Sequence, residues 1–168
     1  MEHIVENMKP SDWKQVKNIY IEGIKTGIAT FQSDAPSWEE WDKSHISTCR
    51  LVARSSNNDI SGWAALSPTS SRECYNGVVE VSIYVSEKFK GQGVGKSLLT
   101  KLVKESEANG FWTLYCAIIR ENAASIALHK KCGFREIGIR EKIAKMNDGI
   151  WHDVMLMERR SSVVGVNQ

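Results

Sequence analysis

The sequence predicts one mixed α/β (α+β) domain, a sheet with helices on both faces. Three observations predict it. The chain has 168 residues with 42% hydrophobic and 25% charged, enough for a single buried core and too apolar for a disordered chain. Its patterns run β-α-α-β-β-β-α-β-α-β-β, with strands alternating with helices only in the second half. At the centre, Val78 to Val85 alternates: Val79, Val81, Ile83 and Val85 on one face, Glu80, Ser82 and Tyr84 on the other. The expected domain is residues 1–160, and the eight residues from Ser161 to Gln168 read as a flexible tail.

The elements follow in order. Ile4 to Asn7 reads as a short strand. Ser11 is placed to cap a helix to about Ile24, with Val16, Ile19, Tyr20 and Ile24 on one face. Gly27 to Phe31 is a loop. Ser37 opens a second helix, with Glu40 at capping-box spacing and Trp38, Trp41 and Ile46 on its apolar side. Leu51–Arg54 and Ile60–Leu66 form a hairpin across the polar turn Ser55–Asp59. A polar loop, Ser67 to Gly77, leads into the central strand. After a glycine-rich loop, a helix runs from Gly93 to Asn109 on Leu98, Leu99, Leu102 and Val103, and Gly110 ends it. Trp112 to Ile119 is a buried strand. Asn122 caps a short helix through Lys131, stopped by Gly133. Phe134–Ala144 and Ile150–Glu158 are the last strands, joined at Asn147-Asp148-Gly149.

The formal net charge of +2 is too small to make nucleic acid or a membrane surface the main partner. Cys49, Cys74, Cys116 and Cys132 include no C-x-x-C pair, so free thiols are expected rather than a disulfide framework or a zinc site, and no metal is expected. Met1 to Val5 shows no basic region followed by an apolar run, and no stretch is long and apolar enough to span a bilayer, so a cytoplasmic protein is expected.

The loop Lys90-Gly91-Gln92-Gly93-Val94-Gly95-Lys96 is the chemical signal. Glycines let a backbone approach a ligand, and the free N–H groups and dipole of a helix N-terminus favour an anion. A nucleotide-binding P-loop fits poorly, because Gly95-Lys96-Ser97 matches its end while Lys90 stands where its first glycine belongs. A dinucleotide fingerprint fits worse, because the spacing is G-x-G-x-G. A ligand-free turn leaves three glycines before a long helix unexplained.

Lys90 to Gly95 resembles the [Q/R]-x-x-G-x-[G/A] loop of the GNAT superfamily of N-acetyltransferases, with Lys90 in place of Gln or Arg. A second pattern, N-x-x-[A/S]-x-x-x-[Y/H]-x-x-x-G-[F/Y], is met by Asn122, Ser125, His129, Gly133 and Phe134. Within that superfamily the chain resembles phosphinothricin and methionine sulfoximine acetyltransferases through Ala29-Thr30-Phe31, Gly62-Trp63-Ala64, Arg72 with Tyr75, Glu80 to Val85 and Trp151-His152-Asp153. The resemblance implies a mostly antiparallel central sheet and acetyl-CoA as cofactor. It implies cofactor contacts from Ile83, Tyr84, Val85, Lys90 through Lys96, Asn122 and Ser125, with the Val85 N–H polarising the acetyl oxygen and Asn122 bonding the pantetheine arm. The implied acceptor is a small amino-acid-like amine held by Phe31, Trp63, Arg72, Tyr75, Glu80 and Ser82, and a homodimer is expected.

The reaction needs a neutral amine and a protonated leaving thiolate. Glu80, a carboxylate in an otherwise apolar strand, is the expected base, directly or through water; a solvated strand residue is its plainer alternative. His129 occupies the place where many relatives protonate the sulfur with a tyrosine, and a polar surface histidine is its alternative. Arg72 reads as an anion clamp or a loop charge, Trp63 as a pocket wall or core. Trp151 and Asp153 are either structural or directed at a neighbouring subunit. A GNAT enzyme acting on a protein N-terminus or polyamine, and a non-catalytic CoA-binding module, are the rival functions.

Overall fold

The computed structural model describes residues 2–166. Strand β1 is His3–Asn7, and a 3-10 turn, Pro10–Asp12, leads into helix α1, Trp13–Thr26. The helix therefore starts after Ser11, and Asp12 rather than Ser11 stands at its head. The Asp12 carboxylate is buried and satisfied: it accepts the Lys9 N–H at 2.9 Å and the Arg54 guanidinium at 2.9 Å. Gly27, at φ 74°, ends α1 in the left-handed region. Helix α2, Trp38–Ser44, begins as its sequence foretells, with Ser37 Oγ accepting the Glu40 N–H at 3.2 Å. It stops before Ile46, whose N–H instead donates to the Leu66 carbonyl. Ile46 thus packs into the other core and not with Trp38 and Trp41.

Strands β2 (Leu51–Ser55), β3 (Ile60–Pro68), β4 (Val78–Val85), β5 (Thr113–Ile119), β6 (Arg135–Lys145) and β7 (Trp151–Arg160) join β1 in one sheet of order β1-β2-β3-β4-β5-β7-β6. Every adjacent pair is antiparallel except β4–β5. Helices α3 (Val94–Ala108) and α4 (Ala123–Lys131) complete the chain order. The alternation of β4 sorts the core into two. Val79, Val81, Ile83 and Val85 pack with Leu98, Leu99 and Leu102 of α3 on one face. Tyr84 packs on the other with Trp63 and with Tyr20, Ile19 and Val16 of α1. Each residue's parity in the strand thus decides which helix layer it meets, and the mixed fold with helices on both faces is as expected.

Some boundaries differ. Ser55 belongs to β2, β3 runs on to Pro68, a 3-10 turn at Glu73–Tyr75 breaks the polar loop, and another at Glu87–Phe89 precedes the glycines. β6 carries a bulge between Arg140 and Ala144, where Lys142 takes φ 43°. Asp153 holds that bulge: its Oδ1 accepts the Lys142 N–H at 2.8 Å and its Oδ2 the Arg120 guanidinium at 2.9 Å, which gives it a structural task within its own chain. β7 extends past Glu158, and the segment expected to be a loose tail packs back. Ser161 is buried, its N–H donates to the Trp112 carbonyl at 2.8 Å, and Arg160 binds the carbonyls of Val164 and Gly165. Residues 167 and 168 lie outside the described residues.

Candidate active site

β4 and β5 pair only at Val78–Thr113, Val79–Leu114 and Glu80–Tyr115, and then part. The Ser86 N–H donates to the Ser61 carbonyl at 2.8 Å, which fixes the alternation of the β3–β4 ladder. Residues in phase with Ser86 bond to β3, and the Val81 N–H closes the last β4–β5 pairing at Tyr115, so the N–H groups of Ile83 and Val85 point into the opening between β4 and β5. That opening is the floor of a cleft of about 1130 Å³. Backbone donors without strand partners in such a gap suit an extended ligand that completes the ladder.

The glycine loop closes one end of the cleft. Gly91 and Gly93 take φ 77° and 79°, and an added Cβ at either would meet nothing within 4 Å, so it is backbone conformation that demands glycine here. No side chain caps α3 at Gly93, and among the described residues no backbone N–H from Gly91 to Lys96 donates to a protein acceptor. The first turn of a fifteen-residue helix therefore presents unsatisfied donors to the cleft, a cradle that fits a pyrophosphate. Gly95 has a second reason to be glycine: a Cβ there would come within 3.1 Å of Leu128 and 3.6 Å of Val85, where α3 crosses α4 and β4.

Ile83, Tyr84, Val85, Lys90, Gly91, Gly93, Val94, Gly95, Asn122 and Ser125 all line the cleft as expected. Gln92 and Lys96 do not. Gln92 turns to His3, and Lys96 faces a shallow groove on the outer side of α3 with Lys101 and Lys104, because residues on successive helical positions point to different sides. Lys90 is paired with Glu87 at 2.7 Å in solvent, so its charge is partly spent before any ligand arrives. Asn122 caps α4, its Oδ1 accepting the Ser125 N–H at 3.2 Å. Its amide N–H₂ is the part left for a ligand.

Glu80 stands at the vertex where β4 and β5 separate, half-buried and lining the cleft with Ser82. Burial pushes its carboxyl above the ordinary range, and no cation offsets that burial. A carboxylate so placed is a stronger proton acceptor than an exposed glutamate. Tyr84 beside it is also pushed up, first by burial, and remains a neutral hydroxyl at neutral pH.

His129 is 2% exposed, and its ring meets Phe134 edge-on at 5.0 Å. Its Nδ1 lies 2.7 Å from the Ser125 carbonyl oxygen, which can only accept, so the proton of the neutral ring is on Nδ1. Nε2 is then a buried lone pair without a protein partner. Burial also holds the ring's pKa below its usual value. The proton-donor role expected for His129 does not follow from this geometry, because donation from Nε2 needs the doubly protonated ring that burial disfavours.

The expected acceptor residues divide. Phe31 lines the cleft rim, 6.2 Å from the His152 ring. Trp63 does not reach the cleft: it is 0% exposed and stacks on Tyr20 at 5.9 Å and Tyr84 at 4.9 Å, so it backs the residues that form the wall. Its even phase with Tyr84 across β3–β4 puts it in the aromatic core. Arg72 and Tyr75 also lie outside the cleft lining. They sit on the loop before β4, with Tyr75 47% exposed and the Arg72 guanidinium 5.6 Å from its ring. Sequence reading missed Tyr20, His45 and Cys116 as lining residues. Tyr20 was legible as an aromatic on the apolar face of α1, but only the docking of α1 beside β4 turns it to the cleft; His45 and Cys116 carried no signal.

Residues 13–134 match the acetyltransferase (GNAT) family. The chain is 32% identical to the YwnH protein of Bacillus subtilis strain 168, over 90% of this chain and 94% of that protein. It is 28% identical to a phosphinothricin N-acetyltransferase of Alcaligenes faecalis, over 92% of this chain and 81% of that one. The crystal structure of a GNAT superfamily phosphinothricin acetyltransferase from Sinorhizobium meliloti in complex with AcCoA superposes with a TM-score of 0.90 at 28% identity, covering 100% of this chain and 93% of that one. The parted strands, the left-handed glycines and the free helix N-terminus are therefore those of an acetyl-CoA site, and the chain belongs to the acetyltransferase (GNAT) family as an acetyl-CoA-dependent N-acetyltransferase.

Proposed function

We propose that the protein transfers the acetyl group of acetyl-CoA to the α-amine of a small amino-acid-like compound of the phosphinothricin, methionine sulfoximine or methionine sulfone type, with Glu80 as general base. The observation that carries this reading is the place of Glu80, half-buried at the point where the cofactor groove begins and facing the side of the sheet that holds Ser82, Tyr84 and the Phe31 rim. Relatives named for phosphinothricin and for methionine sulfoximine support the acceptor class; the Pseudomonas aeruginosa PAO1 L-methionine sulfoximine/L-methionine sulfone acetyltransferase is 33% identical over 64% of this chain and 62% of its own.

Acetyl-CoA supplies an activated acyl group when bound. The backbone N–H groups of Gly91 to Lys96 hold its pyrophosphate, and those of Ile83 and Val85 align its extended arm, the Val85 N–H being placed to polarise the acetyl oxygen. Glu80 takes the proton that the acceptor's ammonium must lose, directly or through one water. The His129 Nε2 lone pair accepts a hydrogen bond at the cleft wall. The long exposed edge strand β6, with Ile137, Ile139 and Ile143 uncovered beside Ile150 and Trp151 of the hairpin, supports a homodimer built on this edge. A cytoplasmic enzyme agrees with four free cysteines.

The test is release of free thiol from acetyl-CoA across a panel of amines, with wild type and Glu80→Gln. Turnover on methionine sulfoximine that falls steeply in Glu80→Gln is expected. Turnover confined to polyamines or peptide N-termini contradicts the acceptor, and full activity of Glu80→Gln contradicts the base.

A further inference from the structure

Among the described residues two histidines line the cleft, His129 and His45. His45 stands half-buried at the end of α2, and its ring is locked in place. Trp41 stacks on it with centroids 4.2 Å apart, and Trp63 meets it edge-on at 6.4 Å. Its Nδ1 lies 2.7 Å from the Trp41 carbonyl oxygen, which can only accept, so the proton of the neutral ring is on Nδ1. Nε2 is then a lone pair without a hydrogen-bond partner among the described residues, and unlike Nε2 of His129 it is not sealed from solvent. The backbone is held as firmly: the Arg50 guanidinium donates to the carbonyls of Asp42, His45 and Ile46 and to the Asp42 carboxylate.

The sheet register shows what His45 faces. The bonded pair Ser61–Ser86 puts Leu66 and Val81 out of phase, so the Leu66 carbonyl points away from β4, and there it accepts the Ile46 N–H at 2.8 Å. His45 and Ile46 therefore run along the side of β3 opposite β4. Trp63, Ala65 and Ser67 of β3 share one face with their partners Tyr84, Ser82 and Glu80. A ring packed against Trp63 lies on that face too, so His45 and Glu80 flank one short stretch of β3 that carries the small residues Ala65 and Ser67, and both line the cleft. Burial lowers the ring's pKa from its usual value, the Trp41 hydrogen bond offsets this in part, and the Arg50 charge lowers it further.

We propose that the Nε2 lone pair of His45 accepts a hydrogen bond from the acceptor's ammonium group and holds that group beside Glu80. This rests on the function proposed above and deepens it: Glu80 takes the proton, and His45 takes a hydrogen bond from a second N–H of the same nitrogen. Nε2 of a neutral ring can only accept, so it suits an N–H donor and repels a carboxylate or phosphinate. At neutral pH the ammonium is the donor that phosphinothricin and methionine sulfone share. Two fixed N–H contacts leave the nitrogen one orientation, which is what attack on a thioester requires. The Trp41 and Trp63 rings and the Arg50 bonds supply the rigid support that such a contact needs.

The test measures KM and kcat for wild type, His45→Phe and His45→Gln with methionine sulfone and with methionine sulfoximine, and calorimetric Kd for both compounds on protein saturated with CoA. His45→Phe keeps a ring on Trp41 and Trp63 and removes the lone pair; His45→Gln restores an acceptor oxygen near the place of Nε2. Loss of a charge-assisted contact predicts a KM and Kd raised about tenfold or more for both compounds in His45→Phe, with the KM for acetyl-CoA nearly unchanged, and His45→Gln falls between. Unchanged KM and Kd in His45→Phe overturns the proposal. So does a KM for acetyl-CoA that rises as much as that for the acceptor, or a His45→Gln no better than His45→Phe, since either makes the ring a support of the cleft. A loss confined to methionine sulfoximine assigns Nε2 to its imine N–H and overturns the ammonium contact. If wild type acetylates neither compound, the function reading fails; tighter binding of methionine sulfone by wild type than by His45→Phe still upholds the contact, and equal or absent binding overturns it.

Discussion

Glu80 and His129 show how differently two residues of one site respond to burial. Burial raises Glu80 and lowers His129, each toward its uncharged form. For Glu80 the sign is as follows. Its folded pKa lies above its unfolded one, so the charged form weakens the fold: the cost is absent below the unfolded pKa and fully present above the folded pKa. Glu80→Gln is therefore expected to melt at or above the wild-type temperature at neutral pH while kcat falls by about 10²–10⁴-fold. The same shift places the acid limb of the wild-type kcat profile above the pH of an ordinary glutamate, and the limb disappears in Glu80→Gln. For His129, a ring whose one proton is committed to the Ser125 carbonyl leaves no donor on Nε2. The alkaline side of the kcat profile in His129→Gln is expected to match wild type; a lost alkaline limb would restore it as the acid. Both residues were legible in the sequence as chemistry in an apolar strand and a motif position. Which nitrogen carries the proton was not, since a neighbour four residues away decides it.

At the level of elements, local rules carried far. The Ser37 cap, the left-handed glycines after α1, α3 and α4, and the alternation of β4 each follow from residues within a few positions. What failed was tertiary. Trp63 looked available because a tryptophan in a G-W-A strand suits a wall as well as a core; its place opposite Tyr84 on the face covered by α1 settles it as core. Ser11 has no capping role, since α1 begins after Asp12, and the Asp12 carboxylate does not cap the helix either but is drawn inward by Arg54, a partner 42 positions away. The glycine loop carries a direct prediction. Gly93→Val forces a β-branched side chain to φ near 79°, at a cost of about 1–3 kcal/mol, and displaces the N–H groups at the head of α3. The KM for acetyl-CoA is expected to rise about tenfold or more, with the KM for the acceptor little changed; equal effects on both would mean that the loop shapes the whole cleft rather than one ligand's cradle.

The whole molecule is organised by one break in one sheet. Because β4 and β5 part after Glu80, the cofactor groove and the candidate base meet at a single point, though the cleft is lined from segments as distant as α1, β4 and α4. No single-segment pattern announces such a meeting, which is why Arg72, close in sequence to Glu80, was expected in the site and Tyr20, from α1, was not. The uncovered β6 edge belongs to this scale too. Sedimentation is expected to show a dimer, and Ile143→Asp at the exposed hairpin to shift it toward monomer; a wild-type monomer at micromolar concentration contradicts that assembly. The central claim concerns the bond formed. Tandem mass spectrometry of methionine sulfoximine incubated with acetyl-CoA and the wild-type protein tests it most directly. The account predicts an acetyl group on the α-nitrogen, formed one for one with free thiol. Thiol release without an acetylated amino acid, or acetyl placed on another nitrogen, would contradict it.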